Sequence, residues 1–274
     1  MKLVMIASMI FLFTFSARAG VFQENFDNGN LDAWQELIMT QDFLFFDVDD
    51  PPPGSWEIVD GELHTVSPDE STRLFTIGDE TWRDYTIEFD VKPLDKPGLS
   101  NIAIAARIKG SWVAWCVIGD LPAFRKNASE ARLGAGNFHD QNTIFYTHAE
   151  LHRFLKLNRW SQLKLAVEGD TLNFWINGKL VIGPVQLPNR KTFKEHEAAK
   201  HAHPIKPGNI RLIHPLALDG FHNFLTGAAG LGLSNQTARF DNIVITGDSI
   251  PDSGGLSVTP KAKLTTVWGS LKRF

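Results

Sequence analysis

Short segments of alternating apolar and polar residues, separated by tight-turn dipeptides, constrain the fold of this chain more than any other feature. In residues 85–92 every second residue is apolar, which is the pattern of a β-strand with one buried face. Asp60-Gly61 and Asn177-Gly178 each separate two such segments. Both dipeptides readily adopt the positive φ angles of a two-residue hairpin. The pattern therefore predicts antiparallel strands joined by hairpins.

Two further segments, residues 101–108 and 112–118, are apolar at almost every position. Such runs are typical of strands that are covered on both faces, so we predict that they lie in the middle of a sheet. We count roughly a dozen strand segments and no long amphipathic helix. Regular hairpins without helices predict a β-sandwich or jelly roll.

The first residues have the order of a secretory signal peptide. Lys2 is followed by an apolar run over residues 3–15, and Ala17 and Ala19 then supply the small residues of a cleavage site. The run is shorter than the about 20 residues that cross a bilayer. We predict a signal peptide over residues 1–19, a secreted protein (extracellular, periplasmic or in the cell envelope), and no membrane span.

The remaining chain predicts one domain followed by a tail. All-β domains often reach this length undivided, so we predict a single sandwich over residues 20–247. Residues 248–274 begin with Pro, Ser and Gly and end in a basic segment that contains a tryptophan, which indicates a linker and a C-terminal tail. The formal net charge of −4 argues against a nucleic-acid partner. We expect a monomer.

Segments near both ends of the domain resemble the concanavalin A-like lectin and glucanase superfamily. The resemblance rests on residues 22–27 with Trp34, on residues 56–63, and on residues 230–233 leading into 240–245. It implies an all-β fold, an antiparallel jelly-roll β-sandwich of the concanavalin A-like type. Within the superfamily, the chain resembles LamG-like carbohydrate-binding modules and the 3-keto-disaccharide hydrolases.

The resemblance to the hydrolases is incomplete at the residues that face their concave pocket. Those proteins have Asn-Ser-Gly and an Arg on one inner strand, and a Glu and a Gln on the next. Here Arg107 and Asp120 match, whereas the Ser-Gly pair, the Glu and the Gln are absent. Residues 88–93 also lack the second glutamate of the family 16 glucanases, and glycoside cleavage by the usual route needs two carboxylates. We leave catalysis open and favour a protein that is not an enzyme.

Tryptophan and polar residues on the inner strands predict a carbohydrate partner, an oligo- or polysaccharide. Flat aromatic rings with a polar edge are typical of sites that hold sugar rings, and we expect Trp115, Trp175 or both to line the concave face. Polar side chains on or after the inner strands are expected to add hydrogen bonds. The candidate ligand-binding residues are Arg107, Trp115, Arg132, Asn137, His139, Tyr146 and Trp175.

The superfamily resemblance also implies a structural Ca²⁺ ion on the convex side. The apolar phase slips between Phe240 and Ile243, which predicts a β-bulge that re-aims Asp241. The implied ligands are Asp241, Glu24 and the carbonyl of Gly61, and oxygen ligands of this kind suit Ca²⁺. The alternative is that Asp241 only accepts a hydrogen bond from the backbone at the bulge.

An insertion over residues 189–224 contains most of the histidines of the second half of the chain. No Cys partner and no His-Glu-x-x-His motif accompanies them, so we predict a solvated loop rather than a zinc site.

These observations favour a secreted, non-catalytic module that holds a glycan on its concave face. Two alternatives remain open. One is a glycoside-processing hydrolase of the 3-keto-disaccharide type, with a pocket at Arg107 and Asp120. The other is a structural or adhesive protein of the cell envelope.

Overall fold

The computed structural model describes residues 20–39, 53–120, 129–137, 145–192, 211–212 and 221–251, with only the backbone of 145–151 and 211–212. The predicted signal peptide and most of the predicted linker and tail lie outside these residues. Within the described parts of the chain, no helix is long and apolar enough to cross a membrane.

Sixteen β-strands run through the described residues. In chain order they are β1 (Gly20–Glu24), β2 (Gln35–Met39), β3 (Ser55–Val59), β4 (Glu62–Ser67), β5 (Thr72–Ile77), β6 (Tyr85–Asp95), β7 (Asn101–Lys109), β8 (Trp112–Asp120), β9 (Ser129–Asn137), β10 (Phe145–Leu151), β11 (Ser161–Glu168), β12 (Thr171–Ile176), β13 (Lys179–Gln186), β14 (Arg211–Leu212), β15 (Ala228–Ser234) and β16 (Gln236–Gly247).

The strands form two eight-stranded sheets. Sheet A has the order β13-β12-β11-β6-β16-β4-β3, with β1 also paired to β16, and sheet B has the order β14-β10-β9-β8-β7-β15-β5-β2. Neighbouring strands are antiparallel throughout, as in β6 with β16 and β7 with β8. The prediction of an all-β, antiparallel jelly-roll β-sandwich is confirmed.

The hairpin dipeptides have the predicted backbone conformation. Asp60 and Gly61 have φ angles of 56° and 75°, and they join β3 to β4. Asn177 and Gly178, at 50° and 75°, join β12 to β13. Two consecutive positive φ angles are those of a type I′ turn, whose twist matches that of the strands it connects.

The hydrophobic core lies between the two sheets. Alternate residues of sheet A, such as Ile87 and Phe89, belong to the same buried cluster as alternate residues of sheet B, such as Ile102 and Ile104. Burying one side chain of this kind contributes about 1.5–3 kcal/mol. The remaining positions of each strand point away from this core.

The middle strands of sheet B are buried on both faces, as their continuous apolar sequence predicts. The face opposite to the core, called here the outer face of sheet B, carries a second cluster of buried apolar residues. This face corresponds to the one that the sequence predicts to be concave. Its apolar residues include Leu74, Ala103, Ala105, Val113, Trp115 and Val117.

Candidate ligand-binding surface

A row of polar side chains crosses the outer face of sheet B at one end. Ser234 on β15 pairs with Asn101 on β7, Asn101 pairs with Gly119 on β8, and Gly119 pairs with Glu130 on β9. Paired residues on neighbouring strands point to the same face. The side chains of Ser234, Asn101 and Glu130 therefore form one line, which we call the polar row, and all three residues are buried.

Asn101 is the member of the polar row with a free acceptor. Its backbone N–H donates to Ser234 Oγ (3.2 Å), whereas its side-chain Oδ1 is buried and has no hydrogen-bond partner among the described residues. A Cβ at Gly119 would lie 2.6 Å from Asn101 Cβ, so only glycine leaves this amide in place. A buried acceptor without a partner costs about 1–3 kcal/mol.

Glu130 and Arg132 form an ion pair next to the polar row. Arg132 Nε lies 3.2 Å from Glu130 Oε1, and the two side chains are 14% and 10% exposed. Arg132 Nη2 also donates to the Asp120 carbonyl (3.1 Å). The Asp120 carboxylate oxygen Oδ2 lies 2.5 Å from Lys96 Nζ and accepts a hydrogen bond from the Ser100 N–H (3.1 Å). This end of the face thus combines hydrogen-bond donors and acceptors whose charges largely compensate one another.

Trp115 lies on the same face, over a glycine. It pairs with Gly134, and a Cβ at Gly134 would lie 2.5 Å from Trp115 Cζ2. The indole therefore lies across the Gly134 backbone and is 2% exposed. Arg132 is two residues from Gly134, a distance of roughly 7 Å along a strand. An aromatic floor thus adjoins the charged pair and the polar row.

Arg107 is placed elsewhere, at the joint between the two sheets. Its Nη2 donates to Asp84 Oδ1 (3.2 Å) and to the Gly169 carbonyl (3.0 Å). Its Nη1 donates to the Leu225 carbonyl, and its backbone N–H donates to Tyr85 Oη (2.9 Å). Asp84 precedes β6 and Gly169 lies in the β11–β12 turn, so this fully buried side chain joins β7 to sheet A. The structure does not bring it together with Trp115 and Arg132.

The other candidates are dispersed. Trp175 lies on sheet A, because Phe174 faces the core and Trp175 pairs with Lys164 on the opposite face. Trp115 and Trp175 are therefore on opposite sides of the sandwich. Asn137 is half-buried at the end of β9. The backbone of Tyr146 pairs with Gly134, while its side chain and the whole of His139 lie outside the described residues.

Two of the three predicted calcium ligands lie near each other. Glu24 ends β1 opposite Ile243, and its Oε1 accepts the Phe26 N–H (2.8 Å). Burial raises the pKa of Glu24, and the negative charge of Asp27 raises this pKa further. Asp27 Oδ1 is also 3.2 Å from where a Cβ of Gly61 would lie. Glu24, Asp27 and the β3–β4 hairpin thus share one corner of the sandwich.

Asp241 lies at the predicted bulge. The β6–β16 register shifts between Asp241 and Val244, and Asn242 has a φ of 55°, so the bulge is confirmed. Asp241 Oδ1 accepts the Asn242 N–H (2.7 Å), and Asn242 Nδ2 donates to Asp90 Oδ2 (2.9 Å). In the described residues no group of three or more His, Cys, Asp or Glu side chains is close enough to hold a metal ion.

Most of the histidine-rich insertion lies outside the described residues. His222 is described: its Nδ1 accepts the Phe224 N–H (3.2 Å). Burial and the positive charge of Lys109 lower the pKa of His222 to about 4.

Sequence reasoning did not select Asn101, Glu130 and Ser234 as ligand-binding residues. They come from three strands that are distant in the chain and become neighbours only through the register of sheet B. One sequence pattern could have identified part of this group. Apolar residues at every second position of residues 129–137 predict that Glu130 and Arg132 share the opposite face of the strand.

Comparisons with solved structures found chains of similar fold at low identity. The carbohydrate-binding module CBM66 of Bacillus subtilis is 15% identical, with 77% of this chain and 93% of that chain covered and a TM-score of 0.44. A putative glycosyl hydrolase of Parabacteroides distasonis is 13% identical (83% and 94% covered, TM-score 0.46). The β-glucanase of Bacillus licheniformis is 12% identical (83% and 98% covered, TM-score 0.46).

A search of curated proteins gave no significant match. A family model, that of the 3-keto-alpha-glucoside-1,2-lyase-like domain, matches residues 21–246. This range takes in both sheets and every residue of the polar row. The chain belongs to the 3-keto-alpha-glucoside-1,2-lyase-like domain family.

Proposed function

We propose that this protein is a secreted, non-catalytic carbohydrate-binding protein that holds an oligo- or polysaccharide on the outer face of sheet B. The observation that carries the proposal is the combination of the Trp115 floor with the unpartnered Oδ1 of Asn101. Sugars need both an apolar surface and hydrogen-bonding groups, and binding sites for small polar ligands combine the two. Family membership supports a carbohydrate ligand.

Glu130 and Arg132 are the groups through which a glycan first contacts this face. Both keep some side-chain exposure, so a sugar hydroxyl can approach each of them. Asn101 accepts a further hydroxyl, and the buried Trp115 packs beside these polar groups and holds β8 against β9. Hydrogen bonds to charged partners contribute about 1.5–3 kcal/mol each, which makes this pair the main source of affinity in the proposal.

Binding is favoured over hydrolysis by the chemistry of β8. The positions of β8 that face outward next to the polar row are Trp115 and Val117, which are apolar. The two nearby carboxylates, Glu130 and Asp120, are engaged by Arg132 and Lys96. Glycoside cleavage by the usual route needs one carboxyl group that donates a proton and a second that acts as base or nucleophile.

A calcium ion held by Glu24, the Gly61 carbonyl and Asp241 is the second part of the proposal. Two carboxylates with a carbonyl fit an ion that is completed by backbone oxygens. Burial raises the pKa of the Glu24 carboxyl, and the nearby negative charge of Asp27 raises it further, so a cation at this corner would be favourable. The ion would supply the missing positive charge and tie β1 to the β3–β4 hairpin.

Export through the signal peptide of residues 1–19 is the third part. Expression of the full chain with its leader should give an exported protein whose N-terminal residue is Gly20. A cell-associated protein that keeps Met1 would contradict this part alone.

The test of the binding site is calorimetric titration with cello-, laminari-, xylo- and arabino-oligosaccharides. We expect Glu130→Gln and Arg132→Met to weaken binding about 10- to 100-fold. Lys109→Met is the matched control, because it removes an exposed cation elsewhere and should bind like the parent. Equal affinity of all variants would contradict the site. Release of reducing sugar, abolished in Glu130→Gln, would replace the binding function with the hydrolase alternative.

A further inference from the structure

The outer face of sheet A, on the other side of the sandwich, presents two tryptophans to solvent. Trp160 immediately precedes β11 and is 40% exposed. Trp175 on β12 is half-buried. Both rings lie on the face opposite to the core, because the alternate residues Leu163 and Phe174 belong to the core. Trp160 is thus more exposed than tryptophan is on average.

The two rings are separated by a distance that suits an oligosaccharide. Trp175 pairs directly with Lys164 on β11, and Trp160 is four residues before Lys164 in the chain. At about 3.3 Å per residue the backbone positions of the two tryptophans are about 13 Å apart along the strand direction, which exceeds the width of one sugar ring. Leu180 pairs with Trp175 and is also exposed, so it lengthens the apolar end of this surface.

Hydrogen-bonding side chains fill the space between the rings. Gln162 pairs with Asp90, and Lys164 pairs with Glu88. Gln162 Nε2 donates to Glu88 Oε1 (2.8 Å). These groups supply both donors and acceptors, so the surface has the same combination of aromatic and polar groups as a sugar-binding site.

Both lysines of this face lie close to a glutamate, while Asp90 accepts a hydrogen bond from Asn242. Lys164 Nζ lies 3.7 Å from Glu88 Oε2, and Lys92 Nζ lies 3.9 Å from Glu62 Oε2. Because these opposite charges lie close together, the net electrostatic potential of the face is too weak to attract a polyanion or a polycation. A neutral ligand that is rich in hydroxyl groups complements this charge arrangement.

The two lysines also hold the rings. Lys92 Nζ lies 4.5 Å above the Trp160 ring and Lys164 Nζ lies 5.6 Å above the Trp175 ring, both within the range of cation–π contacts. Each cation–π contact favours one orientation of the indole side chain. This orientation is then favoured before a ligand arrives, which lowers the entropy lost on binding.

We propose that the outer face of sheet A is a second carbohydrate-binding surface, for a neutral oligosaccharide segment that contacts both Trp160 and Trp175. It is independent of the site on sheet B, since the whole sandwich separates the two. A protein with a glycan surface on each side binds a polysaccharide network more tightly than either surface alone, because the second contact is intramolecular.

The experiment is native gel electrophoresis in gels that contain soluble barley β-glucan, xylan or arabinan. The parent protein is compared with Trp160→Ala, with Trp160→Ala/Trp175→Ala and with Arg132→Met. Leu225→Ala is the matched control, because Leu225 is an exposed apolar residue elsewhere. Trp160→Ala removes an exposed side chain, so this variant should fold like the parent, and a thermal melt verifies it.

We expect at least one polysaccharide to retard the parent, and both tryptophan variants to lose about tenfold or more of that affinity. Leu225→Ala should run like the parent. Retardation that Arg132→Met abolishes and that the double tryptophan variant keeps in full would overturn the second surface and leave the sheet B site standing. The reverse pattern would contradict the sheet B site alone, and absence of retardation with all three polysaccharides would overturn the second surface.

Discussion

Trp115 and Gly134 face each other across β8 and β9, and a Cβ at Gly134 would lie 2.5 Å from Trp115 Cζ2. The indole is therefore held in place by the absence of a side chain on the neighbouring strand. Arg132 and Glu130 lie further along β9 on the same face. A single glycine thus fixes the aromatic floor of the proposed glycan site.

Gly134→Ala should reduce both stability and glycan binding. The added methyl group has to displace the indole or the strand, and overpacking of this kind costs about 1–3 kcal/mol. Urea unfolding measures the change. Gly134 does not have a positive φ, so the loss reports the contact with the indole and not backbone strain. An unchanged free energy of unfolding in Gly134→Ala would show that the indole contact is not tight.

Asp84→Asn should destabilise the joint between the sheets. Asp84 Oδ1 accepts both Arg107 Nη2 and the Gly169 N–H (3.2 and 2.7 Å), and the substitution removes the negative charge beside a buried guanidinium. We expect a loss of roughly 1–3 kcal/mol in the free energy of unfolding. Lys109→Met, which breaks an exposed pair with Glu80, should change it by less than about 1 kcal/mol. Similar values for both would contradict a structural role of Arg107.

Acid should destabilise the protein partly through Asp69. Burial alone would raise its pKa, but hydrogen bonds from Arg73 and from the Ser71 N–H, together with the positive charge of Arg73, outweigh burial, and the pKa of Asp69 is lowered. The stabilisation is therefore complete above the unfolded pKa, near pH 4, and is lost as pH falls through the lower folded pKa. Unfolding free energies measured between about pH 5 and 2 should fall less steeply in Asp69→Asn. An unchanged slope would contradict this assignment.

Calcium should raise the midpoint of thermal unfolding. A ligand at 100 times its Kd stabilises the native state by about 2.7 kcal/mol, and chelator should reverse the shift. Glu24→Gln and Asp241→Asn should abolish it, whereas Asp32→Asn, an exposed carboxylate on the loop after β1, should keep it. If the parent melts at the same temperature with calcium and with chelator, the proposed ion site is wrong.

The sequence was sufficient for the features that depend on local pattern. Alternation from Tyr85 onward predicts β6, the Asp60-Gly61 and Asn177-Gly178 dipeptides predict their hairpins, and the phase slip before Ile243 predicts the bulge. In each case neighbouring residues determine the conformation, through strand periodicity or through tolerance of positive φ.

Contacts between residues that are distant in the chain determine the placements that the sequence pattern did not predict. By alternation Arg107 would face outward like Ala105, but the register shifts between Ala106 and Lys109, Arg107 has a φ of 58°, and its partners come from sheet A. The position of Trp175 shows a second limit. A period of two shows which residues of one strand share a face, but not which sheet the strand joins.

The most direct test of the central claim is a thermal melt of the protein against a library of neutral oligosaccharides, with calcium held constant. A sugar that binds only the native state must raise the midpoint in proportion to the logarithm of its concentration above Kd. We predict such a rise for at least one oligosaccharide, reduced in Arg132→Met. If no sugar in the library shifts the midpoint at concentrations of several millimolar, in the range of weak binding, the carbohydrate-binding function is contradicted.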